Sequence, residues 1–305
     1  MKRSLRDYLM TLCIAVLIFT VVAFFLIQAA EGLMGDVIGK IGSEGEVATQ
    51  EEIGVSQTPS GGGSEPEQQK DAVATFLLMG VDQNKRQADA IFLVGINATK
   101  KEATVVLIPS NTVVPEGQNR YALGELYATK SVNYFQDFIA KETGVKPDYY
   151  AVMSMSALSN LIDFLGGIQY NVPENMYAFD PNNNFKINLQ AGTRTLSGDQ
   201  VLQLVSYMGY KNGKTGREDT QIGFARAFCN TFLTPDNLSR FKAIMYNIYY
   251  NVDTNFGEAD LNALGDLIFR FSEYTQNFSR IPGGENGGLY TITSARAKAL
   301  FESYQ

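Results

Sequence analysis

Two carboxylates stand at the ends of neighbouring apolar segments in this chain. The run FLLMG leads to Asp82, and Asp89 lies at the start of the run ADAIFLVGI. A third run, ATVVLIP, ends at Ser110. Polar groups at the ends of buried strands often converge on one patch, where binding and catalytic sites commonly lie. Carboxylate oxygens suit Mg²⁺, so the pair predicts a divalent cation site, with two solvated or turn-capping aspartates as the structural alternative.

Apolar spacing predicts alternating strands and helices around these residues. Strands are expected at residues 75–81, 89–97, 102–109 and 148–155. Helical spacing predicts one helix that stops near Gly144 and another that stops at Gly166. Later segments are mainly helical in spacing, and Cys229 falls on an apolar helix face that should fill core space. Short connections favour an α/β fold: a mixed α-β-α three-layer domain whose central mixed sheet is flanked by helices.

The composition excludes several classes of function. The 305 residues include no histidine, which rules out a Ser-His-Asp triad, a histidine general base and histidine-ligated zinc. The net charge of -7, without any Lys/Arg-rich run, argues against a nucleic-acid partner. Cys13 and Cys229 are the two cysteines, and their placement in separate regions argues against a disulfide.

The amino terminus has the pattern of a membrane anchor. Residues 9–30 form an uncharged run that, at about 1.5 Å per residue, is long enough to cross a hydrocarbon core of roughly 30 Å. Lys2, Arg3 and Arg6 precede the run, which favours a cytoplasmic amino terminus at residues 1–8. The pattern predicts a single-pass protein of the cytoplasmic membrane with its main domain outside.

The segment after the apolar run predicts a stalk. From about Gly42 to Asp71 the sequence becomes rich in Glu, Gln, Ser and Gly. Residues 31–73 should therefore form a flexible extracytoplasmic connection to a domain at residues 74–305. The small residues in Gln28–Ala30 leave a cleaved signal peptide open as the alternative to an anchor.

Blocks of sequence around both carboxylates follow one another in a recognisable order. The chain reads GVD, QADA and IPSNT, and later DYYAVMSMSALSNLIDFLGGIQYNVPE, AGTRTLSGDQVLQLVSY and GREDTQ. These blocks resemble the extracytoplasmic domain of the LytR-CpsA-Psr family, whose patterns are G-x-D, R-S-D-T, I-P-R-D-T, an L-G-G helix end, an L-N-G helix and G-R-x-x-R-Q. The resemblance extends from about Ala74 to the end of the chain.

The resemblance implies an activity, partners and site residues. Family members transfer a glycopolymer phosphate from a polyprenyl-pyrophosphate carrier to peptidoglycan, with Mg²⁺ and arginines on the pyrophosphate. Asp82 and Asp89 match the Mg²⁺ ligands, and Arg217 and Gln221 match pyrophosphate contacts, so the two aspartates and Arg217 are the implied catalytic residues. Such chemistry is electrostatic, because the cations neutralise charge on the bridging and leaving oxygens. The implied partners are a polyprenyl-linked glycopolymer or related lipid, peptidoglycan and the cytoplasmic membrane.

The apolar tunnel that the resemblance implies has candidate wall residues on one predicted helix. These candidates are Leu158, Leu161, Ile162 and Phe164. Apolar residues at helical spacing also build ordinary core, which is the structural alternative for all four.

Several arginines of the family pattern are replaced in this chain. The substituted positions are Gln87, Ser110, Ser206, Met208 and Thr220, and Asn111 replaces an aspartate. Each bidentate Arg-phosphate contact supplies charge and fixed geometry that Ser or Met cannot. Candidate substrate contacts therefore include Ser110 itself, Arg86 beside Gln87, and Lys211 and Lys214 in the loop YKNGKTGRED, for which a solvated connection is the structural alternative.

The same pattern leaves two functions open. The first is an active glycopolymer phosphotransferase, and the second is a non-catalytic family member that binds a lipid-linked precursor, a wall polymer or a partner enzyme. Transcriptional control, which the family name also suggests, is opposed by the topology, since residues 1–8 are too short for a DNA-binding fold.

Overall fold

A computed structural model describes residues 73–82, 87–180, 185–232, 234, 237, 240–257, 260 and 270–305. The predicted anchor at residues 9–30, the predicted stalk up to residue 72 and the candidate contact Arg86 lie outside these ranges. Within them, no helix combines the length and apolar character that a membrane span requires.

The elements are numbered here in chain order. The strands are β1 (Val73–Val81), β2 (Ala88–Asn97), β3 (Glu102–Ile108), β4 (Val113–Glu116), β5 (Asn119–Ala122), β6 (Tyr149–Ser154), β7 (Ile168–Val172), β8 (Met176–Asp180), β9 (Phe185–Leu189), β10 (Gly192–Leu196), β11 (Val252–Thr254), β12 (Thr275–Arg280), β13 (Gly283–Asn286) and β14 (Leu289–Ile292). The α-helices are α1 (Val132–Thr143), α2 (Met155–Phe164), α3 (Gly198–Ser206), α4 (Lys214–Phe232), α5 (Phe241–Asn251) and α6 (Ser294–Leu300). Short 3-10 turns span Leu123–Ala128, Phe271–Glu273 and Glu302–Tyr304.

A mixed six-stranded sheet forms the centre of the fold, in the order β11-β6-β1-β2-β3-β12. β1 pairs antiparallel with β2 and parallel with β6. β3 pairs antiparallel with β2 and parallel with β12, and β11 closes the other side antiparallel to β6. The prediction of a central mixed sheet is confirmed.

Both faces of this sheet are covered. On one face Leu77, Leu93 and their neighbours pack against Phe135 of α1 and Phe301, in a cluster of fully buried side chains. On the other face Val94 and its neighbours pack towards α4 and the 3-10 turn that begins at Phe271. Alternate residues of a strand point to opposite faces, so β2 contributes to both layers and the α/β arrangement with flanking helices is confirmed.

The predicted helix stops are also confirmed. α1 ends before Gly144, whose φ of 78° is left-handed and whose N–H donates to the carbonyl of Ala140 at 2.9 Å. Glycine adopts this conformation without the steric penalty that a Cβ brings. α2 ends at Phe164, two residues before Gly166, which has a φ of 87°.

The prediction of a mainly helical second half is wrong in part. β8, β9 and β10 precede α3, and β12, β13 and β14 come after α5 in the chain. β12 lies at an edge of the central sheet and reads TQNFSR, with Phe278 as its one large apolar residue. A strand of this kind lacks the apolar alternation from which strands are recognised in sequence.

Candidate functional site

An irregularity in the central sheet lies at Asp89. Gly80 pairs with Ala90, whereas Val81 pairs with Ala88, so Asp89 is an extra residue of β2 without a partner in β1. Its carbonyl accepts a hydrogen bond from Nε2 of Gln221 at 3.3 Å. Bulges of this kind bend a strand and redirect a side chain, which explains how a carboxylate leaves the packed face of an apolar strand.

Asp82 is held at the end of β1 by reciprocal contacts with Gln87. The N–H of Asp82 donates to the carbonyl of Gln87 at 3.1 Å, and Oδ1 of Asp82 accepts from the N–H of Gln87 at 3.3 Å. Asp82 and Asp89 line one cavity of about 500 Å³, called the carboxylate cavity below. The predicted convergence of the two carboxylates on one patch is therefore observed.

Arg217, on the first turn of α4, does not line the carboxylate cavity itself and reaches the patch through Asp89. Its Nη2 is 3.5 Å from Oδ1 of Asp89, and the two side chains are 19% and 24% exposed. Nε of Arg217 is buried and has no hydrogen-bond partner among the described residues. A buried donor left unpaired costs about 1 to 3 kcal/mol, which marks Arg217 as a group suited to an additional oxygen acceptor.

Burial sets the protonation of Asp89. Removal from water raises the pKa of this carboxyl, the Arg217 guanidinium opposes that rise, and the negative charge of Asp82 adds to it, with a net increase above 3.8. The surroundings of Asp89 thus disfavour its ionised form, which is the form that would bind a cation. Such perturbed carboxyls in a cavity are typical of functional sites.

Asp89→Asn should therefore raise the free energy of unfolding at pH 7. Because the folded pKa is raised, Asp89 contributes stability below its unfolded pKa, and this contribution is lost as the pH rises through the folded pKa. The free energy of unfolding of the asparagine variant should not show this loss as the pH rises. Urea denaturation of the detergent-solubilised chain across this pH range measures both effects, with Asp137→Asn, in an exposed ion pair with Lys146, as the control. A less stable variant at pH 7 would mean that the Arg217 ion pair outweighs the burial.

An apolar cavity of about 290 Å³ lies between the central sheet and α4. Its sheet wall includes Leu78, Phe92 and Ala151, and its helix wall includes Phe224, Ala225, Phe228 and Cys229. One side of α4 carries residues spaced at intervals of three and four positions: Arg217, Gln221, Phe224 and Phe228. This side of the helix therefore carries both polar groups and the apolar wall. Gln221 to Cys229 spans about 12 Å of helix at 1.5 Å per residue.

The apolar cavity and the carboxylate cavity meet at Asp89 and Met155, which line both. One continuous region therefore combines an apolar compartment with a charged one. A ligand with an apolar tail and an anionic head matches this division of polarity.

The four tunnel candidates of α2 lie in different surroundings. Leu158 lines the apolar cavity, whereas Leu161 and Ile162 are fully buried in core clusters. Phe164 is at the surface, with the guanidinium of Arg240 at 5.4 Å from its ring centre. The core alternative is therefore confirmed for Leu161 and Ile162. Of the four tunnel candidates only Leu158 lines this cavity, because α2 turns the other three towards neighbouring elements.

Cys229 does pack among apolar side chains, as predicted, and it also forms part of the cavity wall. Burial raises the pKa of its thiol to about 12. The thiol is therefore protonated at neutral pH and is inert as a nucleophile.

Comparison with known proteins decides the family. The family model described as the LytR_cpsA_psr family matches residues 42–302. The chain belongs to the LytR-CpsA-Psr family. The match begins within the segment that the sequence predicts as a stalk and ends three residues before the carboxyl terminus.

Relatives within the LytR-CpsA-Psr family are distant. The polyisoprenyl-teichoic acid-peptidoglycan teichoic acid transferase TagU of Enterococcus faecalis is 24% identical over 200 residues, covering 62% of this chain and 64% of the relative. TagU of Bacillus cereus is 26% identical over 194 residues, covering 61% of each protein. The chain thus spans less than two thirds of the length of these relatives. The crystal structure of B. subtilis TagV shares the fold, with a TM-score of 0.63 at 18% identity over 77% of this chain and 98% of TagV.

The structure locates the positions at which this chain departs from the family pattern. Ser206, at the end of α3, and Met208, just beyond it, both line the carboxylate cavity. Ser110 lines neither of the two cavities, and its carbonyl accepts from the N–H of Gly124 at 2.7 Å. Two uncharged side chains thus face the carboxylates where the resemblance has guanidinium groups.

Neither candidate replacement lysine lines one of the two cavities. Nζ of Lys214 is 2.8 Å from Oε1 of Glu285 and donates to the carbonyl of Gly288 at 3.0 Å. Asn111 donates to the same carbonyl at 3.0 Å, so both side chains attach to the β13–β14 hairpin. Lys211 is exposed and lines neither of the two cavities. A contact of Lys211 or Lys214 with a phosphate stays a prediction.

The fit of the site to Mg²⁺ follows from its donor set. Asp82 and Asp89 offer hard oxygen ligands, but the described residues contain no group of three or more Asp, Glu, Cys or His side chains that could hold a metal. Mg²⁺ commonly binds one or two carboxylates and takes its other ligands from water and substrate phosphates. The residues therefore fit Mg²⁺ if a phosphorylated ligand completes the coordination.

Proposed function

We propose that this chain is a membrane-anchored protein of the cell envelope that transfers a glycopolymer from a polyprenyl-pyrophosphate carrier to peptidoglycan. The observation that carries the proposal is the junction of the apolar and carboxylate cavities at Asp89. The names of the TagU relatives, which are teichoic acid transferases, support the substrate class. In this proposal residues 9–30 anchor the protein, with its amino terminus inside and its main domain outside.

The proposed binding mode follows the polarity of the two cavities. The polyprenyl tail occupies the apolar cavity, and the pyrophosphate stops at the junction beside Asp89. The unpaired Nε of Arg217 supplies a donor for a phosphate oxygen near this point. Asp82 and Asp89 would hold Mg²⁺, which supplies positive charge against the pyrophosphate oxygens.

The proposed reaction is an electrostatically assisted phosphoryl transfer. A hydroxyl oxygen of peptidoglycan bonds to the phosphorus that carries the glycan, the bridging P–O bond breaks, and polyprenyl phosphate leaves while the hydroxyl proton passes to solvent. The Arg217 guanidinium stabilises the negative charge that develops on the bridging oxygen, and the cavity walls orient the donor.

A second candidate function is binding without turnover. It is favoured by Ser206 and Met208 in the carboxylate cavity and by the ion pair that holds Lys214 at Glu285. Apolar contacts with a lipid tail do not depend on guanidinium groups. A lipid-linked precursor could therefore be retained where its transfer is slow.

Ala225→Phe tests lipid binding in the apolar cavity, on which both candidate functions depend. The added ring projects into the apolar cavity and should weaken binding of a synthetic polyprenyl pyrophosphate disaccharide at least about tenfold. Binding and transfer to peptidoglycan are measured on the detergent-solubilised full chain with Mg²⁺, and EDTA should abolish transfer. Asn230→Phe, exposed on the same helix and outside the cavity, is the matched control.

Three outcomes separate the candidates. Transfer that EDTA abolishes supports the enzyme, and binding without transfer supports the non-catalytic function. Lipid binding that is unaffected by Ala225→Phe, or no lipid binding by the unmodified chain, would contradict both.

A further inference from the structure

The most exposed large apolar side chains of the described residues gather around one cavity. Tyr177 is 59% exposed, Phe179 is 61% exposed and Met208 is 65% exposed, whereas the other large apolar side chains at the surface are only 38% to 39% exposed. All three line the carboxylate cavity. Exposed apolar groups concentrated at the rim of a cavity indicate a binding surface rather than scattered surface residues.

The two rings share one face of the β8–β9 hairpin. Tyr177 and Phe179 lie two positions apart on one side of β8, and Met176 on the other side is fully buried. Ala178, between the two rings, is exposed and also lines the carboxylate cavity. The register places Tyr177 opposite Asn188 and Phe179 opposite Lys186. Asn188 and Lys186 are exposed and stand on the same outer face, because directly opposed residues of an antiparallel pair share a face.

The outer face of the hairpin sets hydrogen-bonding groups beside the two rings, and both groups lie just outside the lining of the carboxylate cavity. The electron-rich face of an aromatic ring attracts the weakly positive C–H groups on one side of a sugar. The amide of Asn188 offers a donor and an acceptor, and the ammonium of Lys186 offers donors, for sugar hydroxyls. An apolar lipid tail would leave these polar neighbours without a partner.

The surroundings argue against a bilayer as the occupant of this face. The carboxylate cavity contains Asp82 and Asp89, and the whole chain has a net charge of -7. Anionic membrane surfaces attract basic segments, so the two carboxylates in this cavity oppose close approach. The volume of about 500 Å³ lies within the range of roughly 300 to 1,000 Å³ that is usual for ligand sites.

We propose that Tyr177 and Phe179 form a stacking surface for the sugar residues that follow the pyrophosphate of the lipid-linked glycopolymer, with Met208 completing the apolar rim. This assignment rests on the proposed function, because the same cavity holds the carboxylates beside which the pyrophosphate stops. It adds a glycan subsite to the lipid and phosphate subsites and makes the hairpin a determinant of glycan specificity.

The test compares two synthetic lipids on the full chain in detergent. One is a polyprenyl pyrophosphate that carries a disaccharide of N-acetylglucosamine, and the other is the same lipid without sugar. The unmodified chain should bind the glycosylated lipid about tenfold more tightly, and Tyr177→Ala with Phe179→Ala should remove that difference while binding of the bare lipid stays unchanged.

Two further variants separate stacking from folding. Tyr177→Phe with Phe179→Tyr keeps both rings and should keep the sugar-dependent increment. Tyr121→Ala, on another hairpin and outside both cavities, should also keep it. The melting temperature of each variant shows that the fold is retained.

The outcomes distinguish this proposal from the proposed function. A double alanine variant that keeps the increment overturns the stacking surface, even where transfer occurs. Loss of binding to anionic phospholipid vesicles, with the increment unchanged, would assign the face to the membrane instead. Saturation-transfer NMR with N-acetylglucosamine tetramer tests the surface without the lipid: ring-dependent contacts support it, and no contacts together with no increment overturn it.

Discussion

Arg217→Ala should lower turnover of the lipid-linked glycopolymer by about 10²- to 10³-fold, the loss that follows removal of one preorganised charge donor. The guanidinium is paired with Asp89 at the junction of the two cavities, and its buried Nε lacks a partner among the described residues. The chain has Ser206 and Met208 where further arginines would share this charge. The guanidinium of Arg217 should therefore account for more of the rate than one arginine does in a site with several.

A second readout follows from the same variant. Arg217 lowers the pKa of Asp89, so its removal should raise that pKa further and move the acidic limb of the pH–rate profile to higher pH. Arg226→Ala is the control, since this arginine lies on the same helix with its guanidinium 4.4 Å from the ring centre of Phe278. Turnover that changes less than about threefold in Arg217→Ala would contradict the assigned role.

Ser206→Arg should raise turnover by about 10- to 100-fold, because it returns a guanidinium to the wall of the carboxylate cavity. Ser206 lies at the last position of α3 and lines this cavity together with Asp82 and Asp89. A planar guanidinium supplies two parallel donors to a phosphate, which a serine hydroxyl cannot. The gain should appear in kcat and in affinity for the bare polyprenyl pyrophosphate.

Thr193→Arg is the matched control for this gain. It adds the same charge at an exposed position of β10, outside both cavities, and should leave turnover unchanged. An equal gain in both variants would reflect net charge alone. An inactive Ser206→Arg chain that binds the lipid more tightly would favour the non-catalytic function, since missing charge would then not be what prevents transfer.

Local sequence patterns predicted the four inner strands of the central sheet, β6, β1, β2 and β3. The expected strand at residues 89–97 corresponds to β2, and the expected helix stop corresponds to the left-handed Gly144. These features arise from alternation along a strand and from the conformation of one residue, both of which are visible locally. The hairpins β8–β9 and β13–β14 were missed, since their strands are short and have few buried residues.

The candidate site was predictable only where its residues terminate strands. Asp82 and Asp89 could be placed together because buried strands bring their ends to one edge. The pairing of Lys214 with Glu285 could not be foreseen, since the two residues are 71 positions apart and neither lies in a recognisable pattern. The α4 wall of the apolar cavity was equally hidden, because Phe224 and Cys229 have the spacing of ordinary core residues.

At Asp89 the chain has either the carboxylate of the candidate site or a regular sheet ladder, and not both. Ala88 and Ala90 already pair with consecutive residues of β1, so a chain shorter by Asp89 alone would have an uninterrupted ladder there. Such a deletion would make the pairing of β1 and β2 regular and would remove the carboxylate at the junction of the two cavities. Point substitutions change the chemistry of this position, whereas a change of chain length by one residue decides whether the position exists.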